Sequence, residues 1–331
     1  MKKQRLPFVI QGLGTALPHR VMTNADFEKF LDTSDEWIQT RTGIRERRIC
    51  GEGENTLTLA LTASKIALEK AKLTPADLDL IIVATSTPYT PIPATACFLQ
   101  RELGCGHIPA FDLSAACSGF VYGYVCAVHL MASGQYRHVL VVGAEAMSTI
   151  TDFQDRGICI LLGDGAGAAV LGPADDDIGG VYDHLLGANG GGAELIWVPA
   201  GGSREPASAR TVEQRLHYLK MQGREVYKFA VSKMQEVIQG AMTRVGLTAD
   251  DLAMVIPHQS NARIIESAAH KLKIPIEKVA LNIDRCGNTS AASIPLALEE
   301  VVNQGRARKG DWVILAGFGG GLTWASALLR L

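Results

Sequence analysis

Short, wholly apolar runs alternate with longer segments of helical periodicity along most of the chain. Residues 8–14 predict a first β-strand, and residues 73–88 predict a capped turn that leads into another apolar strand. Residues 56–72 carry apolar side chains at near-helical spacing, and capping residues at Thr23 and Ser34 predict two shorter helices. Wholly apolar strands between helices are typical of a parallel sheet that is covered on both faces, so the pattern predicts an α/β fold.

The same pattern occurs twice. Residues 73–83 are similar to residues 247–257, and the apolar strands that end at Gly143 and Gly317 are also 174 positions apart. Small, apolar closing strands follow at residues 165–171 and 323–329. A shared offset predicts an internal duplication. We expect two halves, residues 1–173 and 174–331, joined near a linker-like segment that begins at Pro173.

Cys117 lies where residues 110–123 change from an apolar run to helical spacing, which predicts a strand, a tight turn and a helix. Unpaired N–H groups at a helix start favour a thiolate, which would make Cys117 a nucleophile. The alternative is a buried structural cysteine, because free cysteine is among the most buried residue types.

His258 and Asn288 follow predicted strands in the second half, at residues 254–257 and 279–283. Ligands of such sheets bind at the carboxyl ends of strands, so we expect both side chains to approach Cys117. A thiol, an imidazole and a carboxamide together suit acyl transfer from a thioester, with two neutral donors for an oxyanion or enolate. Taken singly, His258 could bind a buried carbonyl and Asn288 could cap a turn.

Composition restricts the classes of partner. The chain has 331 residues and a net charge of −2, which gives no argument for nucleic acid or for an anionic membrane. No apolar stretch approaches the roughly 18 residues of a membrane span. The seven cysteines show no CxxC pair and no His/Cys metal cluster, as expected for reduced thiols in a cytoplasmic protein.

Five motifs together identify a family resemblance: DTSDEWIQTRTGIRER, GDGAGAAVL, PHQSNARI, GNTSAAS and GFGGGLTWASALLRL. They are similar to those of the β-ketoacyl-acyl carrier protein synthases III of the thiolase superfamily. The resemblance implies a homodimer with a thiolase-like five-layered αβαβα fold made of two duplicated halves. It also implies decarboxylative condensation of an acyl-CoA, commonly acetyl-CoA, with malonyl-acyl carrier protein, without a metal or redox cofactor.

The resemblance assigns roles to residues. Cys117 would carry the acyl group, His258 and Asn288 would stabilise the enolate, and the N–H groups of Cys117 and Gly320 would form the oxyanion hole. The residues that match the CoA site are Thr33, Trp37, Arg41, Arg156, Gly157 and Asn261. Those that match a basic patch for the acidic carrier protein are Lys228, Arg263 and Lys271. From the residues alone, Trp37 and Arg41 would instead belong to an exposed amphipathic helix.

Two positions depart from the family pattern: His270 stands where some members have another Lys, and Ile92 bears on the substrate. Ile92 stands where many acetyl-selective members carry a Phe that closes the acyl pocket from the partner subunit, so longer or branched acyl groups become alternatives. A related Cys-His-Asn condensing enzyme or acyltransferase of specialised metabolism, of the polyketide or quinolone type, is a second hypothesis. A scaffold that binds CoA or carrier protein without catalysis is a third. The segment around Glu145 does not resemble the catalytic glutamate region of HMG-CoA synthases.

Overall fold

The computed structural model of the chain describes residues 5–331 and contains both strands and helices throughout. The strands are β1 (Phe8–Ala16), β2 (Arg20–Thr23), β3 (Glu46–Ile49), β4 (Leu80–Ala84), β5 (Ala110–Leu113), β6 (Val139–Ala146), β7 (Asp164–Pro173), β8 (Gly180–Ala188), β9 (Ile196–Trp197), β10 (Lys220–Met221), β11 (Leu252–Pro257), β12 (Trp312–Gly319) and β13 (Thr323–Arg330). The α-helices are α1 (Asn24–Glu28), α2 (Asp35–Thr42), α3 (Thr56–Ala71), α4 (Thr95–Leu103), α5 (Gly119–Met131), α6 (Arg156–Cys159), α7 (Ala209–Glu213), α8 (Gly223–Val245), α9 (Ala262–Lys271), α10 (Ile283–Cys286) and α11 (Ser293–Asn303).

Two main sheets repeat one topology. The first has the order β1-β7-β6-β4-β5, and the second has the order β8-β13-β12-β11. At one end of each sheet the strands run parallel, β6, β4 and β5 in the first and β12 and β11 in the second, while β7 and β13 run antiparallel to both of their neighbours. The order and the directions agree with the duplication predicted from the sequence. The boundary between residues 173 and 174 stays a prediction, although β7 ends at Pro173.

The sheets differ from the expectation in two respects. They are mixed, because β7 and β13 return antiparallel beside the parallel strands. The strand predicted at residues 279–283 is also wrong: only a single bridge joins Val279 to Val255, and the chain then enters α10. The reason is local, since the N–H of Asn282 donates to the side chain of Gln259 (3.1 Å) and not to a neighbouring strand.

Helices and sheets form five layers. α3 and α4 cover the outer face of the first sheet, and α8 and α9 cover the outer face of the second. Between the sheets, α5 packs against β4, β6, β12 and β13, while α11 packs against β1, β7, β11 and β12. One apolar core, which includes Phe120, Val141, Leu298 and Leu315, joins both inner faces. The αβαβα fold is therefore confirmed, and α5 begins at its centre.

Candidate active site

Cys117 lies in a sharp connection between β5 and α5. A single 3-10 turn, Ala116–Ser118, links the strand to the helix, and Ala116 has a left-handed backbone with φ of 47°. The predicted strand, turn and helix are confirmed. Cys117 keeps some solvent exposure, as a nucleophile needs.

The carboxyl end of β12 packs directly against this turn. A Cβ atom at Gly319 would lie 2.6 Å from the Cys117 nitrogen, so only glycine fits there. The Thr323 hydroxyl at the start of β13 donates to the Ala115 carbonyl (2.9 Å). At the next position, a Cβ atom at Gly320 would lie 3.6 Å from the Ala116 side chain. The second half of the chain therefore closes one side of the Cys117 turn.

One six-residue segment, Asn288 to Ser293, gathers the three predicted catalytic residues. Its Ser290 lies beside the Cys117 thiol and lowers the pKa of that thiol. The Ser290 N–H donates to Oδ1 of Asn288 (2.9 Å). At the other end of the segment, the Ser293 hydroxyl lies 2.7 Å from Nδ1 of His258. Cys117, His258 and Asn288 thus converge through contacts with a single turn.

The tautomer of His258 follows from its partner. The Ser293 oxygen accepts the N–H of Gln259 (3.3 Å), and among residues 5–331 the Ser293 hydroxyl has no hydrogen-bond acceptor other than Nδ1 of His258. Nδ1 is then an acceptor, so the ring hydrogen is on Nε2. This arrangement makes Nε2–H a hydrogen-bond donor.

His258 is also held neutral. It is buried, with an exposure of 1%, and the Phe318 ring meets it edge-on at 5.4 Å between centroids. Burial lowers the pKa of His258 to about 3, because the charged imidazolium is poorly solvated there. At neutral pH the side chain therefore offers a hydrogen bond and no positive charge.

Asn288 is oriented in a similar way. Its backbone is fixed on both sides, since its N–H donates to Leu161 (2.7 Å) and its carbonyl accepts from Gly163 (3.0 Å). Its Oδ1 is occupied by the Ser290 N–H, which leaves the Nδ2 hydrogens as donors. His258 and Asn288 therefore both have their acceptor atoms occupied by the Asn288–Ser293 segment.

Gln259 joins the loops that carry these two residues. It has no solvent exposure, and its amide nitrogen donates to the carbonyls of Pro257 (2.9 Å) and Ala280 (3.0 Å). Its oxygen accepts the N–H of Asn282 (3.1 Å). No sequence pattern points to this residue beyond its place next to His258.

The electrostatics of Cys117 differ from the sequence expectation. Burial raises the pKa of the thiol to about 12, a hydrogen bond with Ser290 lowers it, and the charge of Glu145 raises it again. The predicted thiolate at a helix start is therefore wrong for the resting protein. Burial outweighs the helix terminus, because α5 begins deep between the two sheets.

The six residues of the predicted CoA site are close together. The guanidinium groups of Arg41 and Arg156 lie over the Trp37 ring, at 4.7 Å and 4.8 Å from its centre. Asn261 caps α9 and donates to the Arg41 carbonyl (3.0 Å), which ties α2 to α9. Gly157 follows Arg156 at the start of α6, and Thr33 follows Asp32, whose carbonyl accepts from Arg156 (2.5 Å).

The remaining predicted residues lie outside this cluster. Lys228 is on α8 and pairs with Glu225 (2.9 Å), while Arg263 and Lys271 are exposed on the adjoining helix α9. Ile92 lies in the loop between β4 and α4 and is 85% exposed. Within one chain, therefore, Ile92 takes no part in the Cys117 site.

Other features of residues 5–331 bear on function. A cavity of about 710 Å³ lies at the amino-terminal ends of the central strands, where its lining includes Leu13, His138 and Ala307, and so it is separate from Cys117. In these residues, no group of three or more His, Cys, Asp or Glu side chains is placed to hold a metal ion. None of the helices described is both long and apolar enough to cross a membrane.

Comparisons with known proteins agree with the geometry. A family model described as 3-oxoacyl-[acyl-carrier-protein] synthase III matches residues 111–190, and the model of its C-terminal part matches residues 242–331. The β-ketoacyl-[acyl-carrier-protein] synthase III of Roseiflexus sp. (strain RS-1) is 52% identical over 319 residues, which cover 96% of this chain and 97% of that protein. The corresponding protein of Caldanaerobacter subterraneus subsp. tengcongensis is 51% identical over 321 residues, 97% of each chain.

A solved structure is similar to this chain over its whole length. The crystal structure of 3-oxoacyl-[acyl-carrier-protein] synthase III from Aquifex aeolicus VF5 has a TM-score of 0.90 and 45% sequence identity, and the match covers 98% of this chain and 100% of that one. The chain therefore belongs to the β-ketoacyl-[acyl-carrier-protein] synthase III family of thiolase-fold condensing acyltransferases, which initiate fatty-acid synthesis.

Proposed function

We propose that the chain condenses an acyl-CoA with malonyl-acyl carrier protein through an acyl group carried on Cys117. The observation that supports this most is the convergence of Cys117, His258 and Asn288 on the Asn288–Ser293 segment. That segment leaves Nε2–H of His258 and the Nδ2 hydrogens of Asn288 free to donate. Two neutral donors beside a thiol suit transfer of an acyl group followed by formation of an enolate.

In the first half-reaction the Cys117 sulfur attacks the thioester carbon of the acyl-CoA. The N–H groups of Cys117 and Gly320 would receive the oxyanion. Among residues 5–331, neither N–H donates to a backbone carbonyl in the loops and turns around the site. Collapse of the tetrahedral intermediate releases CoA and leaves the thioester on Cys117.

In the second half-reaction the malonyl group loses CO2, and its thioester oxygen accepts hydrogen bonds from His258 and Asn288. A neutral His258 stabilises the enolate without offering a proton that would quench the carbanion. The carbanion then attacks the acyl group on Cys117, which forms the 3-ketoacyl product and frees the sulfur. Loss of CO2 drives the reaction, so the proposed chemistry requires no metal or redox cofactor.

CoA would bind beside α2. A nucleobase could stack on Trp37 near Arg156, and the planar guanidinium of Arg41 suits a diphosphate. Thr33, Gly157 and Asn261 would line the same passage. The exposed cations Lys228, Arg263 and Lys271 lie on two adjoining helices and would orient an acidic carrier protein.

Two features support a homodimer. β5 forms an edge of the first sheet, and an unpaired edge strand can pair with that of a second copy. Near it, Ile92, Tyr89 and Phe111 expose apolar surface. In such a dimer, Ile92 would reach the acyl pocket of the partner subunit.

The seven cysteines are all free thiols, which supports a location in the reducing cytoplasm.

We expect mixing with acetyl-CoA to add one acyl group to Cys117, because this thiol is the proposed nucleophile. Intact-protein mass spectrometry would detect the adduct, and Cys117→Ala should abolish it. Cys126→Ala is a matched control, since Cys126 is a half-buried thiol on α5, the helix that follows Cys117. Acyl transfer that persists in Cys117→Ala would contradict the assignment.

We expect His258→Ala and Asn288→Ala each to slow malonyl-acyl carrier protein decarboxylation by roughly 100- to 1,000-fold, the usual cost of one oxyanion donor. Acylation of Cys117 should be retained at least in part, because these donors act on the other substrate. The two half-reactions are measured separately by CO2 release and by adduct formation. An equal loss in both would show that the roles are not divided in this way.

We expect His258 to stay uncharged, with its hydrogen on Nε2, at every pH from about 8 down to about 5. Its pKa is lowered from 6.5 to about 3, so the neutral form dominates above that value. Two-bond ¹H–¹⁵N spectra report both the charge and the tautomer. In Ser293→Ala the Nδ1–H form should gain population. A wild-type titration with its midpoint near 6.5 would refute the prediction.

We expect Ile92→Phe to shift acyl-CoA preference toward two carbons, because a larger ring would shorten the pocket of the partner subunit. Competition between acyl-CoAs of two to eight carbons would measure the shift. Ile178→Phe is the control, since Ile178 is also exposed (44%) but lies in the loop between β7 and β8. An unchanged preference would separate Ile92 from the acyl pocket.

A further inference from the structure

Glu145 is a fully buried carboxylate near the nucleophile, and the reaction proposed above gives it no task. It belongs to β6, the central strand next to β4, and has an exposure of 0%. No Lys or Arg within residues 5–331 forms an ion pair with it. A buried carboxylate without a counter-ion is costly, and such groups are concentrated at functional sites.

The neighbours of Glu145 are arranged as donors. The N–H groups of Ser86 and Thr87 donate to it at 3.0 Å and 3.1 Å, and the Thr87 hydroxyl donates at 2.6 Å. The Thr87 oxygen already accepts the N–H of Ala146 (2.9 Å), so its proton must point at the carboxylate. The Thr85 hydroxyl also accepts a backbone N–H, that of Thr87 (3.1 Å), and donates to the Glu145 carboxylate (3.3 Å). These donors favour the ionised carboxylate and oppose the effect of burial, which raises the pKa of Glu145.

Ser290 connects Glu145 to Cys117. The 3-10 turn Ser290–Ala292 packs between β6 and the start of α5: a Cβ at Gly143 would lie 2.3 Å from the Ala291 oxygen, and one at Gly119 would lie 3.5 Å from the Ala291 Cβ. From this position the Ser290 side chain lies beside both the thiol and the carboxylate and lowers the pKa of each. Sulfur, hydroxyl and carboxylate therefore form a continuous path.

The thiol needs a proton acceptor, because its pKa is raised to about 12 by burial. His258 is poorly suited, since Nδ1 is occupied by Ser293 and Nε2 carries a hydrogen. Burial raises the pKa of Glu145, which makes this carboxylate a better acceptor than one in water. Among the groups that contact the path, Glu145 is the one with the required chemistry.

We propose that Glu145 accepts the proton of Cys117 through the hydroxyl of Ser290; this rests on the proposed acyl-Cys117 reaction. As the sulfur attacks the thioester carbon, its proton passes to the Ser290 oxygen, and the proton of Ser290 passes to the carboxylate. The new S–C bond forms, the bond from carbon to the CoA sulfur breaks, and the proton returns to that sulfur. CoA leaves as a thiol, and no oxidant or reductant is involved.

The test compares Glu145→Gln with Ser290→Ala in the full-length protein. Both should slow Cys117 acylation by acetyl-CoA at least 100-fold in rapid-quench measurements, the scale of general-base catalysis. Iodoacetamide alkylation of Cys117 should also slow in both variants, because this reaction too needs the sulfur to lose its proton. The deuterium solvent isotope effect on wild-type acylation should be lost in both variants, which a structural role alone would not produce.

Asp164→Asn is the matched control. Asp164 is a buried carboxylate paired across from Ala146, but it contacts Ser148 and Cys50 and not Ser290. In Asp164→Asn, Cys117 should be acylated at the wild-type rate.

Acylation of Cys117 in Glu145→Gln at or above the wild-type rate would overturn the proposal and leave the carboxylate a purely electrostatic role. If Glu145→Gln does not fold, a wild-type rate of Cys117 acylation in Ser290→Ala is sufficient to overturn the proposal. Failure of wild-type protein to acylate at all would instead refute the proposed function.

Discussion

The site depends on the close packing of the turn Ser290–Ala292 against two glycines of the other half. Gly143 has no side chain where the Ala291 backbone needs space, and a Cβ atom at Gly119 would be in van der Waals contact with the Ala291 Cβ (3.5 Å). This contact inserts a turn from the second half between a strand and a helix start of the first. Since the interior of a protein is densely packed, a shift of this turn would move Asn288, Ser290 and Ser293 together. The geometry of three polar side chains is thus set by backbone contacts.

The same segment determines what those side chains can do. It occupies Nδ1 of His258 and Oδ1 of Asn288, and thereby leaves donors in the place where negative charge would develop. Donors that are fixed before reaction need no reorganisation during it, and burial strengthens them. The cost is visible at Cys117 and Glu145, which are both held in an environment that disfavours their charged forms. Burial is therefore the common cause of the proposed stabilisation of the enolate and of the difficulty in ionising the thiol.

Much of the fold and the three central residues could be predicted from the sequence. Apolar periodicity and the repeated offset led to the layered α/β fold, and motif context led to Cys117, His258 and Asn288. The roles of Ser290 and Ser293 could not be predicted, because they depend on which atom a hydroxyl meets across the core. The thiolate prediction failed for a similar reason: helix position is local, while burial between two sheets is not.

Arg47 illustrates the limit of charge patterns. It belongs to a run of arginines that suggests a basic surface, yet it has an exposure of 0% and donates to the Met22 and Ile160 carbonyls. Trp37 differs, because it is a half-buried aromatic residue whose ring already lies under two guanidinium groups. Any flat ligand that stacks there competes with a cation, so its measured affinity is a difference between two contacts. Added salt would weaken both of these contacts. The affinity, which is the difference between them, would therefore depend less on ionic strength than the nearby charges suggest.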